Sequence, residues 1–266
     1  MPPSDESDEL TSGHPSGHVN DAPADARTPA DAGPTSATWP AQAPAVDDVA
    51  YGPDIPGESA LRLLGNVEGK RILELGVGNG SNAVWLASHG AKVITIDPSA
   101  ARIERAKALA EMHELRLELH HEDLAAAAMV RADTIDLVLS VYALAGESDP
   151  DRVFRQAHRV LRPECPIVVS VPHPACNLLD PSGAEVTRLA NSWFDRTPRP
   201  WTIDGESGAE YPRSFGDLFG GLHRANFRVE TVLEPEPLGP PHSRWWNDAM
   251  TKVPATLILR GRKQGI

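Results

Sequence analysis

The sequence predicts a doubly wound α/β domain, in which a parallel sheet is covered by helices on both faces. Two observations carry this. From Gly69 onward, short β-rich apolar runs alternate with helical stretches, the pattern of successive βαβ crossovers. The first apolar run also stops at a glycine cluster, and the next two end beside acidic residues. Polar groups therefore gather at the carboxyl ends of strands, where such sheets bind their ligands.

Each element has its own signal. Arg71-Ile72-Leu73-Glu74-Leu75 is the first strand, and Ser81 to Ser88 follows with helical spacing of Ala83, Val84, Leu86 and Ala87. Ala91 to Ile96 is the second strand, closed by Asp97-Pro98. Ser99 suits the cap of a helix running to about His113, with Ile103, Ala106, Leu109 and Ala110 at three- and four-residue intervals. Leu115 to His120 and Ile135 to Val141 are the third and fourth strands. Asp151 to Leu161 is an amphipathic helix with Val153, Phe154, Ala157 and Val160 inward, and Pro166 to Val171 is the fifth strand. Ser214 to Ala225 is a further helix, followed by strands over Phe227 to Leu233 and Val253 to Arg260.

Residues 1–48 differ from the rest. They hold nine acidic residues against one base, Arg27, and few large apolar side chains. Such a segment buries too little to offset its ordering entropy and is expected to be a disordered leader, with the domain over 49–266. A formal net charge of −12 argues against a nucleic-acid partner, because phosphate binding needs a basic surface. No apolar run reaches the roughly 18 residues of a membrane span. The N-terminus lacks a secretory pattern, and Cys165 and Cys176 form no CxxC pair, so a cytoplasmic location is expected. His120, His121, Glu122 and Asp123 are neighbours on a strand end and point to alternate faces, so no metal site is expected.

The strongest chemical signal is Glu74-Leu75-Gly76-Val77-Gly78-Asn79-Gly80, an E-x-G-x-G-x-G run between a strand and a helix. Glycines there permit a sharp turn and the close approach of a ligand. By itself the cluster fits a nucleotide site and a plain tight turn equally. Asp97 stands 21 residues after Gly76 and can accept from both hydroxyls of a ribose; it also suits a helix N-terminus. Asp123 can accept from an adenine amine while Leu124 offers an apolar face, or it can cap an alanine-rich helix expected next. The dinucleotide fingerprint G-x-G-x-x-G/A is not met, since Gly76 and Gly78 are followed by Ser81 at its third small position. A carboxylate at Glu74 would also repel a pyrophosphate, and it suits a cationic ligand instead.

The run ILELGVGNGSNAVWLA, with VITIDPS, HHEDL, IDLVLSVYAL, RVFRQAHRVLRP and IVVSVPHP after it, resembles the class I S-adenosylmethionine-dependent methyltransferases. The likeness covers about Tyr51 to Lys263 and is nearest to the small-molecule branch that includes ubiquinone- and menaquinone-type enzymes. It implies a Rossmann-like sheet of seven strands in the order 3-2-1-4-5-7-6, with the last strand antiparallel. It implies S-adenosylmethionine as cofactor and a small-molecule methyl acceptor as partner. Gly76, Gly78 and Gly80 would shape the turn beside the methionine moiety, with Glu74 reaching towards its ammonium. Asp97 would bind the ribose, Pro98 and Ser99 the adenine edge, Asp123 the adenine amine, and Leu124 the ring. Ser140, Val141 and Tyr142 would line the floor near the methyl group, and Tyr51 would fold over the cofactor from an N-terminal lid. Where the family usually has two glycines after Leu161-Arg162-Pro163, this chain has Glu164-Cys165, so a mildly strained or rearranged loop is expected.

Residues 173–213 and 234–252 are expected to build the acceptor pocket and its lid, since long aperiodic segments inside a domain are usually binding loops. His173, at the end of a central strand, is the candidate general base, with a hydrogen-bonded loop histidine as its plainer reading. Tyr142 is the candidate for orienting the acceptor. A relative that binds the cofactor without catalysis, as a sensor or partner module, is the alternative.

Overall fold

A computed structural model describes residues 46–179, 189–203, 206–243 and 246–265; the leader expected over 1–48 lies almost wholly outside them. Nine strands and five helices are described: α1 (Glu58–Leu61), β1 (Arg71–Leu75), α2 (Ser81–Ser88), β2 (Lys92–Asp97), α3 (Ala100–Met112), β3 (Glu118–His121), β4 (Leu137–Val141), α4 (Pro150–Val160), β5 (Pro166–Pro172), β6 (Arg199–Ile203), β7 (Glu206–Glu210), α5 (Phe215–Arg224), β8 (Phe227–Leu233) and β9 (Thr256–Lys263). The main sheet has seven strands in the order β3-β2-β1-β4-β5-β9-β8, and β6 and β7 form a separate hairpin. Strands β1 to β5 pair in parallel, while β9 runs antiparallel to both β5 and β8. With the hairpin set aside, this is the expected order and the expected antiparallel strand.

Alternation along the central strands builds two cores. On one face Leu73, Leu75, Val138, Ile167 and Val169 pack with Phe154 and Leu222 from α4 and α5. On the other, Ile72, Leu137, Leu139 and Val168 pack with Leu86 and Ile103 from α2 and α3. Strands buried on both faces carry near-continuous apolar runs, which is why β1, β4 and β5 stand out in the sequence. The segment before α1 belongs to this second core. Val49 and Tyr51 are fully buried, Asn82 exchanges two hydrogen bonds with the Ala50 backbone, and Asp48 accepts from Val49 and Ser59.

Several elements differ from their sequence signals. The third strand begins at Glu118, because α3 ends in a Schellman turn: Leu115 N–H donates to the Ala110 carbonyl and Glu114 takes φ 57°. No helix follows Asp123. Its carboxylate accepts from Ala125 N–H at 2.8 Å, and Leu124, Ala125, Ala127 and Val130 are buried in turns instead. Burial overrides alanine's helix propensity there. The last strand starts at Thr256 because its first partner is Pro172, and His173 N–H continues that ladder to the Ala255 carbonyl. Glu164 does occupy a left-handed position, at φ 61°, where an L side chain costs about 1–2 kcal/mol.

Packing demands two of the three glycines after β1. Gly76 has φ 85°, and a Cβ there would lie 2.1 Å from Ala143 Cβ. Gly80 has φ 90°, and its Cβ would lie 2.6 Å from Ala106 Cα. At these two positions the turn is pressed against the β4 loop and α3, with no room for a Cβ. Gly76→Ala is expected to destabilise the protein by about 2–5 kcal/mol in urea unfolding, from left-handed strain and overpacking together. Adding Ala143→Gly should restore the packing share and leave the backbone share.

Candidate active site

The carboxyl ends of β1, β2, β3 and β4 converge on one cleft. After β1 the backbone turns through Gly76, Gly78 (φ 57°) and Gly80 into α2. Asp97 closes β2 and stitches two turns together: its Oδ2 accepts from Val77 N–H at 2.9 Å and its Oδ1 from Ser99 N–H at 2.8 Å. Ser99 caps α3 through Arg102 N–H, which brings the Arg102 guanidinium to 3.9 Å from Asp97. Burial nevertheless raises the Asp97 carboxyl above the usual carboxylate range, against the lowering by Arg102 and the two backbone N–H groups.

Glu74 lies one residue before the strand's end and points to the α2 side, as the alternation with Leu73 and Leu75 requires. It is 1% exposed. Its Oε2 is buried without a hydrogen-bond partner among the described residues. Burial, with the Asp97 charge added, raises its carboxyl well above the usual range. An unpartnered buried carboxylate oxygen is costly, and it fits a site built to receive a cationic donor such as an ammonium.

The cleft has a volume of about 530 Å³, within the roughly 300–1,000 Å³ of small-molecule sites. Of the residues singled out in the sequence, Gly76, Asp97, Pro98, Ser99, Asp123 and Leu124 line it. Gly78 and Gly80 continue the turn without lining this cavity. Ser140, Val141, Tyr142 and Tyr51 also lie off its wall, and all four are buried. Ser140 Oγ donates to the Leu75 carbonyl, clamping β4 to β1. Tyr142, expected to orient the acceptor, is fully buried, and its hydroxyl is hydrogen-bonded to Thr256 Oγ1 at 2.7 Å. Tyr51, expected to fold over the cofactor, donates its hydroxyl to Glu58 at 2.6 Å, and its carbonyl accepts from Ser170 Oγ.

His173, the candidate base, is hydrogen-bonded at both ring nitrogens. Nδ1 accepts from Ala175 N–H at 3.1 Å, capping a short 3₁₀ turn. The bonding pattern therefore puts the ring proton on Nε2, 2.8 Å from Glu234 Oε1. To act as a base, His173 would have to exchange one of these two bonds for the acceptor.

The wall has further residues that the strand-end rule does not reach. Ala143, Gly146, Glu147 and Ser148 come from the 3₁₀ turn beyond β4, and Arg102 comes from α3. Trp201, Glu206 and Tyr211 come from the hairpin and its exit. The small-residue run Ala143-Leu144-Ala145-Gly146 after a strand is a signal for the former; the latter fall inside the long aperiodic segment over 173–213 that was expected to carry binding loops, with Trp201 and Tyr211 among its aromatics.

Residues 72–164 match the family described as a methyltransferase domain. An uncharacterized protein of Haemophilus influenzae is 24% identical over 217 residues, covering 76% of this chain and 85% of that one. A ubiquinone biosynthesis O-methyltransferase of Coxiella burnetii is 29% identical over 97 residues, spanning 36% of this chain and 41% of that enzyme. Among solved structures, an S-adenosylmethionine-dependent methyltransferase from Mesorhizobium loti has TM-score 0.54 and 26% identity, covering 77% of this chain and 96% of its own. A candidate enzyme of the same kind from Listeria monocytogenes has TM-score 0.61 and 24% identity, covering 77% and 95%. Residues 72–164 therefore match a methyltransferase domain, and the fold is that of structures described as S-adenosylmethionine-dependent methyltransferases. The chain is similar to these proteins and spans less than half of the ubiquinone-pathway enzyme.

The buried Glu74 gives a stability prediction with a definite sign. The folded protein keeps a proton that the unfolded chain gives up in the ordinary glutamate range. Stability is therefore full below that range and falls as pH rises through the raised folded value. Glu74→Gln cannot ionise. Ligand-free melting curves should show wild type and variant alike at pH 4, with the variant a few degrees more stable at pH 8. Parallel pH profiles would refute the assignment.

Proposed function

We propose that this protein transfers a methyl group from S-adenosylmethionine to a small-molecule acceptor. The observation that carries the reading is the joint placement of Gly76, Asp97, Ser99 and Asp123 on one cleft, with the unpartnered Glu74 carboxylate beneath the turn. The residues fit that cofactor. Each Asp97 oxygen takes one backbone N–H and keeps a lone pair for a ribose hydroxyl. Asp123 would accept from the adenine amine beside Leu124, with Pro98 and Ser99 at the ring's edge. Glu74 would meet the ammonium, while the turn through Gly78 and Gly80 holds the amino-acid tail. When bound, S-adenosylmethionine supplies a methyl group already activated on a sulfonium, so the chain's task is to orient an acceptor in line with it and exclude water.

The limb over 234–252 lines a second, open cavity of about 680 Å³ at the same sheet edge, formed in part by Pro235, Leu238, His242, Trp246, Met250 and Pro254; it shares no lining residue with the cleft, so it would hold the part of the acceptor remote from the reacting atom. The limb is held to the N-terminal segment through Ser243 N–H on Asp54 and Leu238 N–H on the Asp54 carbonyl. His242 and Trp246 stack at 3.5 Å, giving a flat apolar surface for a ring-bearing acceptor. His173 reaches the same limb through Glu234 and serves to position it. A small molecule suits this setting better than nucleic acid, given the net charge of −12. The free thiols of Cys165 and Cys176 fit the reducing cytoplasm. No helix among the described residues is long and apolar enough to cross a membrane.

The test is methyl-labelled S-adenosylmethionine with a panel of ring-bearing acceptors, read as product label and S-adenosylhomocysteine. Asp97→Ala should weaken S-adenosylhomocysteine binding by about 1.5–3 kcal/mol, roughly 10- to 150-fold, through lost charge-assisted hydrogen bonds. Absence of cofactor binding by the wild type, in calorimetry and in thermal shift, would remove the reading.

A further inference from the structure

The β6–β7 hairpin crosses the cleft, and both of its sides are anchored. Its exit is tied to the turn after β4: Tyr211 N–H donates to the Ala145 carbonyl at 2.9 Å, and Arg213 donates to the carbonyls of Leu144 and Glu147. Its entry is held by Arg199, which donates to the Asn177 carbonyl at 3.0 Å. On the opposite side of the cleft Glu206 reaches α3. Its Oε1 lies 2.9 Å from Arg105 Nη2, its Oε2 lies 3.3 Å from Arg102 Nε, and Ser99 Oγ approaches at 3.4 Å.

Between these anchors Trp201 stands opposite Gly208 in the hairpin register. A Cβ on Gly208 would come within 2.4 Å of the indole, so the ring packs closely against bare backbone. Trp201 lines the same cavity as Asp97 and Asp123. Its Nε1–H is buried and has no acceptor among the described residues. Buried donors are nearly always paired, and an adenine presents ring nitrogens that accept.

We propose that Trp201 is a cofactor-contacting residue that donates its indole N–H to the adenosine part of the ligand. Glu206 is a positioning residue that holds the hairpin over the cleft through Arg102 and Arg105. The proposal rests on the reading of the cleft as the S-adenosylmethionine site. It adds to that site a wall supplied by a segment inserted after β5, outside the strand-end pattern.

The full chain is titrated with S-adenosylhomocysteine and with methylthioadenosine, which lacks the amino-acid tail, by calorimetry and tryptophan fluorescence. Trp201→Phe keeps an aromatic face and removes the donor. It should weaken both ligands by the same factor, about three- to tenfold, and lose part of the fluorescence change on binding. Glu206→Gln should release S-adenosylhomocysteine several-fold faster in stopped flow, with Glu206→Asp nearer the wild type. The difference should shrink at high salt, as partly exposed ion pairs are screened. If the wild type binds and Trp201→Phe binds both ligands equally well, the contact is overturned. If Glu206→Gln leaves release unchanged, the latch is overturned. A wild type that binds neither ligand overturns the cofactor reading itself, and this proposal with it.

Discussion

Two carboxylates buried within reach of each other set the terms for this structure. Glu74 and Asp97 lie at the ends of neighbouring strands, each almost wholly removed from water. Desolvation pushes both towards their protonated forms. Asp97 is compensated by two backbone N–H groups and by Arg102 at 3.9 Å, whereas one Glu74 oxygen has no hydrogen-bond partner among the described residues. A fold selected for stability alone has no reason to keep such a group. It makes sense where a ligand brings the missing positive charge.

The glycine turn answers to two demands at once. Gly76 and Gly80 are required by the protein's own packing against Ala143 and Ala106. The same absence of side chains leaves Val77 N–H free to reach Asp97 and opens the backbone toward the cleft. A turn of this kind is therefore sterically determined before any ligand arrives, which gives the site its preorganisation. The neighbouring 3₁₀ turn takes part as well, since Ala143 both limits Gly76 and lines the cavity.

Around this rigid centre, the fold leaves the chemistry open. The segments after β5 and between β8 and β9 supply the side chains that the sheet itself does not bring to the two cavities. In this chain those are the hairpin latched to α3 and the proline-rich limb tied to Asp54.

How much of this was legible in the sequence follows from the range of the forces involved. The spans of β1, α2 and β8 were readable to the residue, because periodicity and glycine punctuation are local. The cleft residues Asp97, Ser99 and Asp123 were readable because strand ends in a parallel sheet share one edge. Long-range packing decided the rest. Tyr142 and Tyr51 look like site residues by position, yet Thr256, distant in sequence, and Glu58, on the short helix just after Tyr51, take up their hydroxyls. The alanine-rich stretch after Asp123 has helix propensity but is drawn into turns by burial. The hairpin has no period to announce it, and its place over the cleft depends on ion pairs between residues about a hundred positions apart. Local pattern therefore determined the sheet and the carboxylates at its edge, and only the folded chain decided which side chains face the ligand, because that choice rests on contacts made across the whole domain.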